Sequence, residues 1–571
     1  MGCASARAHQ SAGQDASSAI VDQVPSAPID TDATDTDVCE SVDADEERIN
    51  SAIAQLPPDG STWGRFGGAE LEPLLAYTDV IDALWLLKLA KGEVMPERKG
   101  VVPPWQLLPA EAKLDLATLR KTTMKFVLPI AVLSYGWAAP HHPDPTGAQL
   151  QRLVPVLEAM VHSTQHGISK STTTEKPAAW GIVWDFMSLP QRGYTTGYDP
   201  QKDDRTPYQL GRFIKGLGSI NVWYGAVYVT TVVCDWPMPE CAQNTVPIDR
   251  RGWCIFERRL SSIRKDDDCC LCVSQLSSCK LTYLSEVRSA GKAGRFPPLA
   301  PDDFDRMLHE GMALELTSPG TGYRFTNGKD ATEVCLPQYR SAFFRLMALK
   351  GEMPFSNTKW GVEDVQQLAA ALKAAHAGGV PTQANLLRLT YNQLPDAALP
   401  PLIEVMLAGA APKLNYFTLQ QNEFGDGALE VLSPLLRSPW LSSQLKTFGI
   451  GSKLTACGVQ MLRSLADDGF FPKLKWLVLN NNKRLGDEGA TALGGALSKG
   501  SLPAMEKLEL ANTGMCDAGA LELACALKHA PAMRILNVGK NALTQEGIKG
   551  LRRACSEHGN AKAMASASEE L

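Results

Sequence analysis

The C-terminal third of the chain repeats one pattern at a nearly constant interval. Three stretches match LxxLxLxxN with Leu, Met, Phe or Val at the apolar positions: LNYFTLQQN from Leu414, LKWLVLNNN from Leu474 and MRILNVGKN from Met533. With three looser copies, the pattern ends at positions 392, 422, 453, 482, 513 and 541. Six copies at this spacing predict repeated units that stack, because one strand and one helix cannot bury their apolar faces alone.

Each predicted strand is followed by a turn and an amphipathic helix. Glycine occupies one equivalent place in four copies, at 458, 489, 519 and 547, and Ala398 and Ala428 take it in two others. We interpret these glycines as the residues at which the chain turns tightly into the helix. The strand residues Leu419, Leu479 and Leu510 are predicted to be buried between strand and helix.

This pattern resembles the leucine-rich repeats of the ribonuclease-inhibitor type over roughly residues 355 to 556, within a predicted repeat domain of 351–560. The resemblance implies a curved solenoid with its strands on the concave side. Side chains between and just after the strand leucines point away from the core. The exposed residues predicted to bind a protein partner are Arg388, Tyr391, Gln420, Gln421, Asn480, Asn481, Glu509 and Lys540.

The middle of the chain alternates apolar strands with helices. From 126 to about 280 this alternation predicts a parallel sheet with helices on both faces, the flavodoxin-like kind of α/β fold. A mostly helical prelude is predicted before it, so that residues 51–350 form one domain. Ligands of such sheets bind beyond the carboxyl ends of the strands, which directs attention to SYGWAAPHHPDPTG and SLPQRGYTTGYDPQKDDRTP.

Residues 126–280 also resemble a TIR domain, the signalling module of innate-immune receptors and of some NAD-cleaving enzymes. VLSY at 132–135, GIVWDFMSLPQRG at 181–193 and the WCxxE of Trp253, Cys254 and Glu257 carry the resemblance. It implies that Glu257 is a catalytic carboxylate for NAD as a substrate, with no bound cofactor. HHPDPTG replaces the Asp-Thr-Arg that often follows the first strand in that family. Substrate-binding residues are then expected beside Glu257: Tyr135, Trp137 and Asp185.

Two functions remain open from these residues. In one, the solenoid binds a protein partner, the α/β domain signals by self-association, and Glu257 faces solvent. In the other, the chain is an NAD glycohydrolase gated by the repeats, and Glu257 stabilises the cationic ribose of the transition state. A carboxylate that points into a cleft beside Tyr135, Trp137 and Asp185 favours the second.

Charge and composition restrict the partners and the compartment. Residues 1–50 and 561–571 are predicted to be disordered tails, and eleven acidic side chains against two basic ones lie in residues 1–48. The remainder of this chain of net charge −6 is therefore nearly neutral, which argues against a nucleic-acid partner. Fourteen scattered cysteines fit a reduced cytoplasmic protein.

Neither a membrane span nor a metal site is predicted. The longest apolar runs are too short to cross a bilayer. The start MGCASAR resembles a signal for acylation of Gly2 and Cys3, which offers a route to membrane anchoring. Cysteines 269, 270, 272 and 279 are interpreted as buried strand residues, and HHPDP as a proline-fixed turn.

Overall fold

The computed structural model describes residues 61–557, except 172, 200, 277–280 and 293–294, together with residues 562–564. The predicted tail over 1–50, with Gly2 and Cys3, and Cys279 lie outside the described residues. Within the described ranges the chain has a mixed α/β architecture with two sheets whose strands are almost all parallel.

The first sheet has five strands in the spatial order β1-β3-β2-β4-β5. Its strands are β1 Ile81–Asp82, β2 Ile130–Ser134, β3 Gly181–Val183, β4 Thr230–Val233 and β5 Cys270–Cys272. The last four are parallel, and β1 joins the edge antiparallel to β3. The parallel strands are therefore arranged second, first, third, fourth along the sheet, which is the order of flavodoxin-like folds.

Helices precede, connect and follow these strands. Both faces of the sheet are packed, because alternate residues of β2 belong to two core clusters, Ile130 and Val132 to one, Ala131 and Leu133 to the other. They are α1 Thr62–Arg65, α2 Ala83–Ala90, α3 Leu116–Arg120, α4 Ala148–His166, α5 Asp185–Ser188, α6 Pro207–Gly218, α7 Ile220–Gly225, α8 Gly252–Ser261, α9 Leu284–Ala290, α10 Pro301–Thr317 and α11 Leu336–Met347. A six-residue π-helix, Asp330–Cys335, leads into α11. Among the residues that the structure describes, no helix is long and apolar enough to span a bilayer.

The predicted helical prelude is only partly helical. Residues 61–80 form only the short helix α1 and two 3-10 helices, and Ile81 pairs with Ile182 of β3 in place of continuing a helix. Asp82 then starts α2, because its carboxylate accepts a hydrogen bond from Leu84 N at 2.9 Å. The change from strand to helix at Asp82 could not be predicted from the three- and four-residue spacing of apolar side chains. Strand β1 and helix α2 both bury apolar residues of one continuous run, so the spacing looks helical throughout.

The second sheet has eight parallel strands in sequential order from β6 to β13. These strands are β6 Gly351–Pro354, β7 Ala384–Arg388, β8 Tyr416–Gln420, β9 Thr447–Gly451, β10 Trp476–Val478, β11 Lys507–Glu509, β12 Ile535–Asn537 and β13 Lys562–Met564. Strands β6 and β13 were not predicted, and β13 lies in the predicted tail 561–571. Both strands can form because an edge strand of a sheet has unpaired backbone N–H and C=O groups, which bond to a further strand.

We use the name solenoid for this array of strands and helices. Its helices alternate with the strands along the chain and pack side by side. They are α12 Val362–Ala377, α13 Leu399–Leu407, α14 Asp426–Leu436, α15 Pro439–Ser442, α16 Ala456–Asp467, α17 Gly486–Ser498, α18 Asp517–Ala526 and α19 Gln545–Glu557. Leu419, Leu479 and Leu510 are 0% exposed, as predicted. Strand and helix therefore share one apolar layer along the whole array.

The asparagine that ends four of the six copies of the pattern holds neighbouring repeats together, whereas Lys453 and Thr513 end the other two. Asn422 is buried; its Oδ1 accepts hydrogen bonds from Asn392 N (3.1 Å) and Leu394 N (3.3 Å). Its Nδ2 donates to Leu389 O (2.7 Å) and Leu419 O (2.9 Å). Comparable contacts are made by Asn392, Asn482 and Asn541. The amide thus satisfies the backbone groups that the turn leaves unpaired inside the core.

Three of the four repeat glycines, 458, 519 and 547, are explained by close approach of an aspartate, which corrects their interpretation as tight turns. At Gly489 a Cβ atom would instead lie 2.4 Å from Leu485. None of the four has a left-handed backbone. A Cβ atom on Gly547 would lie 2.0 Å from Oδ1 of Asp517, the same oxygen that accepts a hydrogen bond from Thr544 N at 2.8 Å. Oδ1 of Asp426 and of Asp487 would lie 2.3 and 2.6 Å from a Cβ at Gly458 and Gly519. Each aspartate anchors the next repeat, and glycine leaves room for it.

Replacement of Gly547 by Ala is expected to destabilise the chain by about 1 to 3 kcal/mol, because the methyl group displaces Asp517 from Thr544. Gly550 lies in the same helix α19, and a Cβ atom added there would meet nothing within 4 Å, so Gly550→Ala should stabilise by up to about 1 kcal/mol. Denaturant unfolding of both variants checks this. Equal effects would contradict the close-approach explanation.

The apolar core continues from the first unit into the solenoid. One cluster of contacting buried side chains includes Phe256 of α8, Tyr339 of α11 and Leu479, which directly follows β10. One buried cation links the two parts: Arg295 Nη1 donates to Pro354 O (2.7 Å) and Nη2 to Ser262 O (2.9 Å). The end of the helix that carries Glu257 is therefore joined through Arg295 to β6.

Candidate functional site

Helix α8 is held in one rotation about its axis by contacts on several sides. Trp253 Nε1 donates a hydrogen bond to Asp330 Oδ2 at 2.9 Å, and Phe256 is fully buried. Cys254 Sγ lies 3.2 Å from Tyr135 O, just beyond the carboxyl end of β2. In this orientation of the helix, Glu257, the residue after Phe256, points towards the edge of the sheet.

The carboxyl group of Glu257 lies inside the domain. Its Oε2 atom has no accessible surface and no hydrogen-bond partner among the described residues. Burial raises the pKa of Glu257 to about 8; the Ser134 and Tyr224 hydroxyls oppose this rise, and the negative charge of Asp185 adds to it. The alternative in which this carboxyl group faces bulk solvent does not hold.

Asp185, the first residue of α5, lies beside Glu257 and is hydrogen-bonded to Tyr135. Its Oδ1 accepts from Tyr135 Oη and from Phe186 N, the latter at 2.6 Å. Burial raises the pKa of Asp185, against the lowering effect of Tyr135, Phe186 and Trp137. Trp137 is half-buried, and its ring meets that of Phe186 edge to face at 5.7 Å. The four candidate residues therefore lie together.

Their position is the one at which α/β sheets of this strand order bind ligands. Strands β2 and β4 are neighbours, and the strand order reverses between them. Ser134 ends β2 and Tyr135 follows it, while Tyr224 Oη donates to Leu133 O at 2.6 Å. The Glu257 carboxyl thus lies just beyond the carboxyl end of the first parallel strand.

The arrangement has two chemical states across neutral pH. Because the pKa of Glu257 is about 8, its carboxyl group is mostly protonated at pH 7 and can donate a proton or a hydrogen bond. Above pH 8 it is an anion in a site of restricted water access, where a negative charge interacts strongly with a developing cation. Both states are usable for cleavage of a glycosidic bond.

The other candidate residues serve the fold. Cys269, Cys270 and Cys272 are buried, and burial raises the pKa of the Cys269 and Cys272 thiols to about 12. His142 lies in a turn, where its Nδ1 accepts from Asp144 N at 3.0 Å. No group of three or more His, Cys, Asp or Glu side chains in the described ranges is placed to hold a metal ion.

A second candidate site is the open face of the solenoid, which we define as the sheet surface turned away from the helices. Cross-strand neighbours in register form its first row: Leu386, Tyr416, Thr447, Trp476, Lys507 and Ile535. The residues that follow Trp476 and Lys507, Leu477 and Leu508, are buried against the helices. Because alternate side chains point to opposite faces, the row lies on the side away from the helices, although Thr447 within it is only 3% exposed.

Seven of the eight predicted partner-binding residues are at least partly exposed. Those just after the strands, Tyr391, Gln421, Asn481 and Lys540, have a left-handed backbone with φ between 57° and 66°. Tyr391 is 62% exposed, whereas Arg388, Gln420, Gln421, Asn480 and Asn481 are half-buried. Arg388 is also ion-paired with Glu352 at 3.1 Å.

Glu509 is buried, 7% exposed, so its prediction as an exposed contact residue is wrong. Its carboxylate has partners in three neighbouring repeats: it forms an ion pair with Lys507 Nζ (2.7 Å) and accepts hydrogen bonds from Asn480 Nδ2 (3.2 Å) and Asn537 Nδ2 (2.5 Å). A pattern read along single repeats does not reveal such lateral contacts.

Sequence reasoning missed Trp476, the large aromatic side chain of the open face. It is 37% exposed, and Lys507 Nζ lies 4.2 Å from the centre of one of its rings. The signal was present in LKWLVL, where Trp476 occupies a variable position immediately before the strand residue Leu477. The prediction considered only the positions between and just after the strand leucines, Leu477 and Leu479, and therefore left out the position before them.

The similarities of this chain to known proteins are weak. No protein-family model matches the chain, and no curated protein matches it. An internalin (inlF) from Listeria monocytogenes str. 4b F2365 aligns with a TM-score of 0.24 and 16% identity, over 40% of this chain and 64% of that one. A TLR13–ssRNA13 complex aligns with a TM-score of 0.12 and 14% identity, over 38% of this chain and 37% of that one.

Both of these are leucine-rich-repeat proteins. The chain spans less than two thirds of the length of either. At these TM-scores neither likeness carries an argument about this chain, so its function has to be inferred from its own residues.

Proposed function

We propose that this chain is an interaction and signalling protein whose open solenoid face binds a protein partner. The observation that carries the proposal is the outward row of the sheet, in which half-exposed Trp476 lies between Thr447 and Lys507, with Tyr416 one strand beyond. Tryptophan and tyrosine are the side chains that most often dominate protein-binding energy. In this proposal the TIR-like domain relays the signal by associating with like domains.

The charge of this face supports a protein partner over a nucleic acid. Arg388 is paired with Glu352, and Lys507 with Glu509, so little positive charge is left for phosphates. Binding to the open face should therefore depend weakly on salt, in contrast to the steep dependence of a nucleic-acid complex.

The test uses binders selected from a displayed protein library against the full-length chain. Trp476→Ala is expected to weaken binders of the open face by about tenfold or more, because it removes the central aromatic anchor. The matched control is Leu521→Ala on α18, 61% exposed on the helical side, which should change affinity by less than about twofold. Binders that respond equally to both substitutions contradict the proposal.

A second candidate function is NAD glycohydrolysis at Glu257. The specific observation in its favour is the inward carboxyl group beside Asp185, Tyr135 and Ser134 at the carboxyl end of β2. Glu257 would stabilise the ribose cation as nicotinamide leaves, and binding on the solenoid would gate the site. A full-length chain that consumes no NAD, even when concentrated, contradicts this candidate.

The proposed location is the cytoplasm, with acylation of Gly2 and Cys3 as a route to the membrane. The support is the MGCASAR start and the scattered cysteines. One acyl chain binds membranes weakly, so stable anchoring would need both positions. Mass spectrometry of the N-terminal peptide from cells tests the modification.

A further inference from the structure

Two consecutive arginines on α8 share one exposed aromatic ring. The guanidinium carbon Cζ of Arg259 lies 4.3 Å from the centre of the Phe296 ring, and that of Arg258 lies 5.0 Å from it. Phe296 is 36% exposed, and Arg258 and Arg259 are half-buried beside it. Since an aromatic face attracts cations, Phe296 holds both guanidinium groups at one place on the surface.

Neither guanidinium group has a counter-ion in the part of the chain that the structure describes. Nη1 of Arg259 is buried and makes no hydrogen bond. Asp364 attracts Arg259 electrostatically but forms no ion pair with it, and its carboxylate accepts a hydrogen bond from Gly361 N at 2.9 Å. Two adjacent cations without an ion-paired anion attract a negatively charged ligand.

The shape of this surface favours an extended ligand. Arg258, Ser262, Arg295 and Phe296 line a cavity of about 20 Å³, large enough for a water molecule but far smaller than a nucleotide. Arg295 is already bonded to backbone carbonyls. A ligand would therefore lie across the ring with its acidic groups on Arg258 and Arg259.

The same chain contains a segment with the matching charge. Residues 35–47, DTDVCESVDADEE, contain seven acidic side chains and no basic one. Thirteen residues separate Glu47 from Ser61, the first described residue, and thirteen extended residues span about 45 Å. A tether that spans the distance between its two ends gives a millimolar effective concentration, so that even weak attraction suffices for docking.

We propose that the acidic segment 35–47 docks on the surface formed by Arg258, Arg259 and Phe296. The docked segment would contact the helix that also carries Glu257, the residue directly before Arg258. The proposal is independent of the proposed function, because it concerns only how two parts of this chain contact each other.

The test uses a full-length variant in which the seven acidic residues of 35–47 are changed to their amides. A fluorescent peptide of residues 35–47, with Cys39→Ser, is titrated onto this chain at low salt, and anisotropy is measured. The peptide is expected to bind, and Arg258→Ala with Arg259→Ala should weaken binding by about tenfold or more. The unaltered full-length chain should also bind it at least about tenfold more weakly, because its own segment competes.

The matched control is Arg552→Ala with Arg553→Ala, two consecutive exposed arginines on α19. This pair should change the affinity by less than about twofold, although it removes the same charge. Phe296→Leu provides a second variant: both arginines remain, but the ring that holds them is lost, and binding should weaken.

Three results overturn the proposal. The first is no binding of the peptide to the amide variant. The second is the same loss from both arginine pairs, which indicates unspecific attraction. The third is equal affinity of the peptide for the amide variant and for the unaltered chain, which would show that the chain's own segment does not compete for the surface. Binding of inorganic phosphate alone, without the peptide, would assign the surface to a small anion and also overturn it.

Discussion

Truncation of Leu479 to Ala is expected to lower the free energy of unfolding by about 2 to 5 kcal/mol. Leu479 is 0% exposed, and it directly follows β10 with its backbone N bonded to Glu509 O of the next strand at 2.9 Å. The substitution leaves a cavity between strand and helix that stacked neighbours cannot close. Thermal and denaturant unfolding of the full-length chain measure the loss.

Leu521→Ala is the control for this truncation. Leu521 lies on α18 in the same array but is 61% exposed, so its loss should cost less than about 0.5 kcal/mol. If the two variants unfolded alike, the stacked core would not be the source of the solenoid's stability.

Glu257→Gln is expected to change how stability depends on pH. The ordinary pKa of a glutamate is 4.5 and that of folded Glu257 is about 8, so the native state holds a proton that the unfolded chain loses. This contribution is fully present below pH 4.5 and is lost as pH rises towards 8. Between pH 5 and 8.5 the variant should therefore gain about 2 to 4 kcal/mol of stability relative to the natural chain.

Glu310→Gln is the matched control, because Glu310 is an exposed glutamate on α10. It should leave the pH dependence unchanged. A stability difference for Glu257→Gln that stays constant from pH 5 to 8.5 would show that the carboxyl group titrates normally.

The same substitution also has a catalytic readout. If Glu257 acts as an anion on NAD, Glu257→Gln should lower cleavage by on the order of a hundredfold or more, as when other charge-stabilising groups are removed. The natural chain should gain activity as pH rises towards 8, where the anion forms. Activity that persists in the variant removes Glu257 from the chemistry.

The regular elements of both sheets could be predicted because their signals are local. LNYFTLQQN and LKWLVLNNN each contain a strand with its buried leucines, and the spacing between copies repeats the unit. Strand β6 lacks this signal: GEMPFSNTK has no leucine, yet Thr358 takes the asparagine position and is bonded to Asn392 Oδ1. Its place depends on the neighbouring repeat and could not be inferred from its own residues.

The candidate site, too, could be predicted only where its signal is local in the sequence. WCIFE identified Glu257 as a candidate, but spacing along a helix could not decide whether its carboxyl group points inward. That depends on Cys254 against Tyr135 O and on Trp253 against Asp330, both far apart in the sequence. Glu509 was misjudged for a similar reason, since its partners Asn480 and Asn537 lie on other strands or beyond their ends.

The most direct test of the proposed function is hydrogen exchange of the full-length chain with and without a selected binder. Binding on the open face should slow exchange in the central strands, residues 416–420, 447–451 and 476–478, and Trp476→Ala should abolish this protection. Protection confined to the solenoid helices, or to residues 126–280, would contradict the claim that the open face is the binding surface.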